Sequence, residues 1–256
     1  MPHPLDFSGK AVIVTGGCRG IGRGISERFL QAGADVVICC RNQPETLPAA
    51  DGREAVFVPA DVRDPDEVQR VVDVAVERFG RLDVAINNAG GSPSAEAATA
   101  SPRFLDAIVR LNLLGPFYVA QKCNAVMQQQ PDGGVILNIG SISGLRPSPG
   151  SAAYGAAKAG LINLTQTLAM EWAPKVRVNC VTPGLMRTED AEAHYGDERS
   201  QRAVAATVPA GRLGEPGEIG DACLFLASGM ARYASGANLV LHGGGEPPPY
   251  LGALER

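Results

Sequence analysis

Long apolar runs, basic runs and closely spaced cysteine pairs are all missing from this chain, and each absence closes a class of function. No apolar run approaches the roughly 20 residues that a membrane-spanning helix needs, so no membrane association is expected. The start, Met1-Pro2-His3-Pro4, has neither the charged nor the apolar region of a secretory signal, which makes a cytoplasmic setting the expectation. Formal net charge is −4 and the isoelectric point about 5.5, with no lysine- or arginine-rich run, so nucleic acid is not an expected partner. Six cysteines (18, 39, 40, 123, 180, 223) include no Cys-x-x-Cys and no ligand cluster. No metal is therefore expected, and zinc chemistry goes with it. Cys39, Cys40 and Cys180 lie in apolar runs where small buried thiols are usual, and all the thiols are expected to be reduced. No internal repeat and no linker composition divides the 256 residues, a length suited to a single α/β domain.

What is present is alternation. Apolar runs at 11–15, 36–40, 55–59, 82–86, 134–139, 176–181 and 238–241 read as strands. Helical patterns fill 66–79, 102–127, 151–172 and 216–227. Buried strands alternating with helices predict a doubly wound, parallel sheet with helices on both faces. Between the first strand and the first helix stands Gly16-Gly17-Cys18-Arg19-Gly20-Ile21-Gly22. A glycine turn opening a helix places backbone N–H groups where a pyrophosphate binds, although alone it is also a plain tight connection.

Tyr154 and Lys158 share a helical face at i and i+4, and Ser141 precedes the tyrosine by thirteen positions. A phenol with an ordinary pKa of about 10 exchanges protons poorly at neutral pH, and a neighbouring ammonium favours phenolate. Tyr154 is thereby a candidate general acid and base for a carbonyl–alcohol pair, with the Ser141 hydroxyl polarising the carbonyl. Tyr-x-x-x-Lys by itself is as well explained by a half-buried tyrosine and a solvated lysine; the glycine turn favours the catalytic reading.

Thr15-Gly16 to Gly22, Asp61-Val62, Asn87-Asn88-Ala89-Gly90, Asn112, Ser141, Tyr154-x-x-x-Lys158 and Pro183-Gly184 fall in the order and spacing of the short-chain dehydrogenases/reductases. The chain resembles that family from about Leu5 to Gly244. The resemblance implies a Rossmann-like, mostly seven-stranded sheet in one domain, NAD(P)-dependent oxidation or reduction of an alcohol–carbonyl pair, a small-molecule substrate, and a homotetramer. It assigns Asn112, Ser141, Tyr154 and Lys158 to catalysis, Asn112 holding a water beside the lysine. To the cofactor it assigns Gly16, Cys18, Arg19, Gly20, Ile21, Gly22, Asp61, Val62, Asn88, Ala89, Gly90, Tyr154, Lys158, Pro183, Gly184 and Thr188. Of these, Asp61 is to meet the adenine amino group, Val62 the ring, and Thr188 the carboxamide.

NAD-binding relatives carry an acidic residue at the end of the second strand, where this chain reads Cys40-Arg41-Asn42. Arg41 and Arg19 suit a 2′-phosphate, so NADP(H) is favoured and NAD(H) stays open. Pro44 and Pro48 leave little room for a helix after that strand. Residues 185–210 read as a substrate lid, with Leu145, Met186 and Tyr195 lining an apolar pocket; His194 reads as a surface residue. The proline-rich tail at 245–256 is expected to be extended. The pattern is similar both to 3-oxoacyl-thioester reductases, for which Arg146, Arg187 and Arg199 offer a basic rim, and to bacterial steroid or secondary-alcohol dehydrogenases. Two rival readings are a non-catalytic protein of the same fold that senses cofactor state or regulates a partner, and a lyase or epimerase handling nucleotide sugars, for which a substantial C-terminal substrate domain would be expected and is not read in this sequence.

Overall fold

The computed structural model describes residues 3–248; the tail from 249 onward lies outside them. Seven parallel strands form one sheet in the order β5-β2-β1-β6-β7-β8-β9. They are β1 (Ala11–Thr15), β2 (Asp35–Cys40), β5 (Val56–Pro59), β6 (Val84–Asn87), β7 (Gly134–Ile139), β8 (Val176–Pro183) and β9 (Asn238–Leu241). Alternate residues of β1 feed opposite faces, as period-two geometry requires. Val12 and Val14 pack with Ile25 and Phe29 of α1 (Gly20–Gln31) and with α8 (Pro216–Ala227). Ile13 packs with Val68 and Val72 of α2 (Pro65–Phe79), Cys123 of α4 (Gly115–Met127) and Leu168 of α5 (Ala152–Glu171). Each fully buried side chain such as Ile25 or Phe29 contributes about 1.5–3 kcal/mol of transfer free energy, which is why central strands read as unbroken apolar runs.

Helix boundaries follow from local chemistry. The Asp64 carboxylate caps α2 by accepting from the N–H groups of Asp66 and Glu67, Pro65 occupies the first turn, and Gly80 ends the helix at φ +70°. The helix foreseen over 102–127 is instead three pieces. α3 (Pro102–Val109) runs into a π-helical turn, Arg110–Leu114, and then into α4. Pro116 has no N–H to continue the ladder, and the bulge carries Asn112 inward. After β2 there is no helix, as Pro44 and Pro48 imply. A two-residue hairpin, β3 (Ala49–Ala50) and β4 (Arg53–Glu54), takes its place, turning through Asp51 and Gly52 at φ +50° and +75°. Residues 185–210 hold two short helices, α6 (Ala191–Tyr195) and α7 (Glu198–Thr207). No described helix is long and apolar enough to cross a membrane.

The chain winds outward from β1 through β2 to β5, then returns to β6 on the other side of β1. This reversal opens a crevice beyond the carboxyl ends of the strands, where open α/β sheets bind ligands. Thr15, Cys40, Pro59, Asn87, Ile139 and Pro183 end their strands on that edge; the glycine turn, Asp61-Val62, Asn88-Ala89-Gly90, Ser141 and Gly184 follow them, whereas Asn112, Tyr154 and Lys158 come from helices.

Candidate active site

The glycine turn is built for close approach. Gly20 starts α1 at φ +52°, a conformation L side chains avoid, and a Cβ on Gly22 would collide with the Gly16 carbonyl oxygen. Thr15 and Asn88 hold the turn in place. Thr15 Oγ1 donates to the Ile86 carbonyl (3.2 Å) and accepts from the N–H groups of Asn88 and Ala89 (3.0 Å each). Asn88 Nδ2 donates to the carbonyls of Thr15 (2.9 Å) and Gly16 (3.1 Å). At the mouth, the Gly20 N–H donates to Glu189 Oε2 at 2.9 Å, and Arg19 pairs with Asp190 at 3.0 Å. A carboxylate on that N–H stands where a phosphate oxygen would, so the positive end of α1 accepts an oxyanion and the loop fits the expected dinucleotide. Thr188 flanks the same spot, its Cγ2 3.5 Å from a Cβ placed on Gly20. A pyrophosphate bound at this N–H would displace Glu189. Glu189→Gln is therefore expected to tighten NADPH binding about two- to fivefold, measured by fluorescence titration; weaker or unchanged binding contradicts this competition.

At the other end of the crevice, the Asp61 carboxylate is forked to Arg63, accepting from Nε at 2.9 and 3.0 Å and from Nη2 at 2.5 Å. These bonds hold its carboxyl below the usual range, with a smaller attraction from Arg41. Asp61, foreseen as the residue that meets adenine, is thus engaged by an arginine that the motif does not include. Val62 is buried against Gly115, where any Cβ would meet its Cγ2 at 3.0 Å. Arg41 is exposed and joins none of the described ion pairs, whereas Arg19 is held by Asp190. The cysteines depart from expectation. Cys18 and Cys40 are brought together, Cα atoms 6.7 Å apart, while Cys39, Cys123, Cys180 and Cys223 are buried and unpaired among the described residues. Strand register is the reason. Thr15 pairs with Cys39, and the Gly16 N–H donates to the Cys39 carbonyl at 2.7 Å, so the turn carries Cys18 over Cys40.

Ser141 follows β7 and begins a 3₁₀ turn, Ile142–Gly144, its Oγ accepting from the Ser143 N–H at 3.1 Å. α5 presents Tyr154 and Lys158 on one inward face with Leu161, Thr165 and Leu168. Lys158 is only 3% exposed, and its Nζ donates to the Ile139 carbonyl at 2.7 Å, 5.7 Å from the centre of the Tyr154 ring. The pair is placed as the spacing requires, but its electrostatics differ. Burial raises the Tyr154 phenol above its ordinary value, a hydrogen bond with Ser141 opposing the rise, and burial lowers the Lys158 ammonium to about 8. Desolvation outweighs the hydrogen bond with Ser141, and no attraction from Lys158 enters the balance for the phenol. Asn112 is fully buried. Its Oδ1 accepts from the Gly91 N–H (2.8 Å), and its Nδ2 donates to the carbonyls of Gly91 and Ile108 (2.9 Å each). The amide thus fastens the loop after β6 to the π-helical turn. A Cβ on Gly90 would lie 2.7 Å from Asn112 Oδ1 and 3.3 Å from Lys158 Nζ, so both side chains need glycine there.

A cavity of about 310 Å³ is lined among others by Ile142, the residue after Ser141, and by Leu145, Arg146, Leu185, His242 and Glu246. Leu145, foreseen as a pocket residue, lines this cavity. Met186 is not: it is buried in the core, its sulfur against Gly214, and lines a smaller cavity of about 120 Å³. Tyr195 accepts the Met186 N–H through its phenol and lies close enough to Tyr154 and Glu246 to feel their charge. Gly184 follows β8 and packs against His242, leaving no room for a side chain.

Comparison with known proteins decides the family. Residues 16–246 match the family described as Enoyl-(Acyl carrier protein) reductase. The 3-oxoacyl-[acyl-carrier-protein] reductase FabG of Thermotoga maritima is 34% identical over 246 residues, covering 94% of this chain and 99% of that protein. The L-rhamnose 1-dehydrogenase (NAD(P)(+)) of Azotobacter vinelandii is 37% identical over 245 residues, covering 92% and 96%. The chain belongs to the short-chain dehydrogenase/reductase family. Among solved structures, the aldohexose dehydrogenase of Thermoplasma acidophilum superposes with a TM-score of 0.85 at 30% identity, covering 94% of each chain. As a short-chain dehydrogenase/reductase the protein is an oxidoreductase that interconverts alcohols and ketones with a nicotinamide dinucleotide.

Several residues of this short-chain dehydrogenase/reductase site escaped the sequence reading. Thr15 was visible only as the start of the glycine motif, and nothing local marked its double role at the strand ends. Asn138 is a polar residue inside an apolar strand, and its bonds to Asn87 and Thr165, both 2.8 Å, fix β6, β7 and α5 to one another. His242 carried no motif; it enters through the turn after β9. Glu189 and Asp190 were merely two acids after Thr188.

Proposed function

We propose that the chain interconverts a small, polar secondary alcohol and its ketone with NADP(H), Tyr154 exchanging the proton. The convergence of Tyr154, Ser141 and Lys158 at the sheet edge that carries the glycine turn is the observation supporting it. When bound, the nicotinamide supplies or takes up the hydride at the substrate carbon. Ser141, whose Oγ accepts from the Ser143 N–H, retains its own proton to donate to the substrate oxygen. Tyr154, held protonated by burial, delivers its proton to that oxygen as negative charge develops. Lys158 grips the nicotinamide ribose as in relatives, and Asn112 acts first by fixing the loop that borders the lysine, with the water-holding role secondary. Glu189, Asp190 and helices α6 and α7 make up the lid over 185–210, which opens as the dinucleotide displaces Glu189.

The preference for NADP(H) is supported by the exposed Arg41 and by the missing carboxylate after β2. Arg41→Ala is expected to raise KM for NADPH about tenfold or more while moving KM for NADH little, as loss of a charge-assisted phosphate contact predicts. Equal effects on both dinucleotides contradict the assignment.

Charge and volume support this choice of substrate. Arg146 is neutralised by Glu246 at 2.6 Å and Arg187 by Glu215 at 3.4 Å, so two of the three arginines of the basic rim foreseen for an acyl thioester are paired internally. The 310 Å³ cavity is at the small end of ligand pockets, and His242, Arg146 and Glu246 give it a hydroxyl-binding wall. Dehydrogenases acting on L-rhamnose and on 2-dehydro-3-deoxy-D-gluconate are among the relatives. A homotetramer in the cytoplasm completes the reading, supported by apolar side chains exposed on helices: Leu105 on α3, Met170 on α5 and Phe225 on α8. The test is a panel of aldoses, small secondary alcohols, 3-oxoacyl thioesters and keto-steroids, followed by nicotinamide absorbance. Fastest turnover is expected with a sugar or small hydroxylated substrate. Faster thioester turnover overturns the substrate assignment, and silence across the panel favours the non-catalytic sensor.

A further inference from the structure

Cys18 and Cys40 stand on opposite rims of the dinucleotide crevice, and the hydride chemistry uses neither thiol. Cys18 lies in the glycine turn just before α1, and Cys40 is the last residue of β2. Neighbouring strands bring them together: Thr15 is in register with Cys39, and the Cα atoms of the pair are 6.7 Å apart, inside the span a disulfide bridges. Both are half-buried, so a small oxidant and a small thiol reach them. The other four cysteines are buried, Cys39 with its thiol pushed up to about 12, the setting of inert structural thiols. The end of β2 is also where doubly wound folds meet the adenosine ribose of a dinucleotide, and the glycine turn is where they meet its pyrophosphate.

We propose that Cys18 and Cys40 are a reversible thiol–disulfide pair whose oxidation by peroxide closes the adenosine-ribose position of the crevice. The proposal rests on the reading of this crevice as the NADP(H) site. The Cys18 thiolate attacks one oxygen of hydrogen peroxide, the O–O bond breaks, and a sulfenic acid and water result. The Cys40 thiolate then displaces the sulfenic oxygen, which leaves as a second water, and the S–S bond forms. Two thiols and one peroxide give one disulfide and two waters; each sulfur loses one electron, and peroxide takes both. The bridge joins the end of β2 to the glycine turn across the ribose position, so the ribose has to enter where the two sulfurs meet. A dithiol reverses it by exchange. A disulfide serving only stability would raise resistance to denaturation and leave dinucleotide affinity alone.

The experiment compares full-length protein kept in dithiothreitol with protein treated with hydrogen peroxide. Intact mass, non-reducing peptide mapping and NADPH fluorescence titration are the readouts. Peroxide is expected to remove two hydrogens from the mass, to link the peptides carrying Cys18 and Cys40, and to raise the Kd for NADPH about tenfold or more, with dithiothreitol restoring it. Cys40→Ser is expected to give one Kd before and after peroxide. An absent cross-link, an unchanged Kd in the cross-linked protein, or a peroxide response that persists in Cys40→Ser overturns the proposal. No NADPH binding in either redox state overturns the function reading together with it, whereas equal binding in both overturns this proposal alone.

Discussion

Tyr154→Phe is expected to lower kcat by about 10²- to 10⁴-fold, the usual contribution of a positioned general acid, while the Kd for NADPH stays within about twofold. Phenylalanine keeps the ring and its packing and removes only the hydroxyl that bonds Ser141. The direction of the phenol's shift adds a sharper expectation. Because burial raises its pKa above 10, Tyr154 stays protonated throughout the neutral range and is ready to act as the acid in ketone reduction. Reduction by wild type should therefore be flat in kcat from neutral pH upward and fall only beyond the phenol's ordinary range. Alcohol oxidation needs phenolate and should climb with pH over the same interval. Stopped-flow measurement of both directions checks the pair of slopes. A reduction rate that falls near neutral pH would show that the proton comes from another group.

Lys158→Met carries the second large effect, and it separates function from stability. Turnover should fall by orders of magnitude, since the cation proposed to hold the nicotinamide ribose in place beside Tyr154 is lost. Folding stability should respond in the opposite sense. Burial lowers the lysine from 10.5 to about 8. Below pH 8 both folded and unfolded chains hold the proton, and the folded state bears the whole cost of the buried ammonium. Between pH 8 and 10.5 the folded lysine sheds its proton while the unfolded one keeps it, so wild-type stability gains from this group as pH rises. The gain is on the order of 3 kcal/mol for the shift to about 8. The methionine variant has no such gain. Its stability relative to wild type should thus decline by that amount across the window, whatever fixed offset the lost bond to Ile139 introduces. Buried thiols and Tyr154 titrate nearby in both proteins and largely cancel in the difference. Urea unfolding at several pH values reads it, and parallel curves for the two proteins contradict the buried-ammonium account.

Local chemistry was legible in the sequence, and long-range contacts were not. β1, β7, α8 and β9 have the bounds the apolar runs give, because glycine, proline or polar residues stop each run where the element ends. Asn112 beside Gly115 and Pro116 announced an irregular helix, though not that the irregularity would be a π-helical turn. Tyr154 and Lys158 share a face for the geometric reason given by i, i+4 spacing. Spacing carries no information on desolvation, so the sign of the tyrosine shift needed the surrounding walls. Glu189 on Gly20, Arg146 on Glu246 and Cys18 on Cys40 are contacts between distant segments, set by strand register and by where loops return. Met186 shows the reverse failure: an apolar residue near the substrate loop proved to be core because β8 leads straight into the packing against Gly214.

The most direct test of hydride transfer at this site uses NADPH deuterated at nicotinamide C4, on each face in turn, with the best ketone from the substrate panel. One of the two labelled dinucleotides should place a single deuterium on the carbinol carbon of the product, read by mass spectrometry, and Tyr154→Phe should nearly abolish the transfer. Product lacking deuterium with both labels, or equal transfer by Tyr154→Phe, would contradict the account.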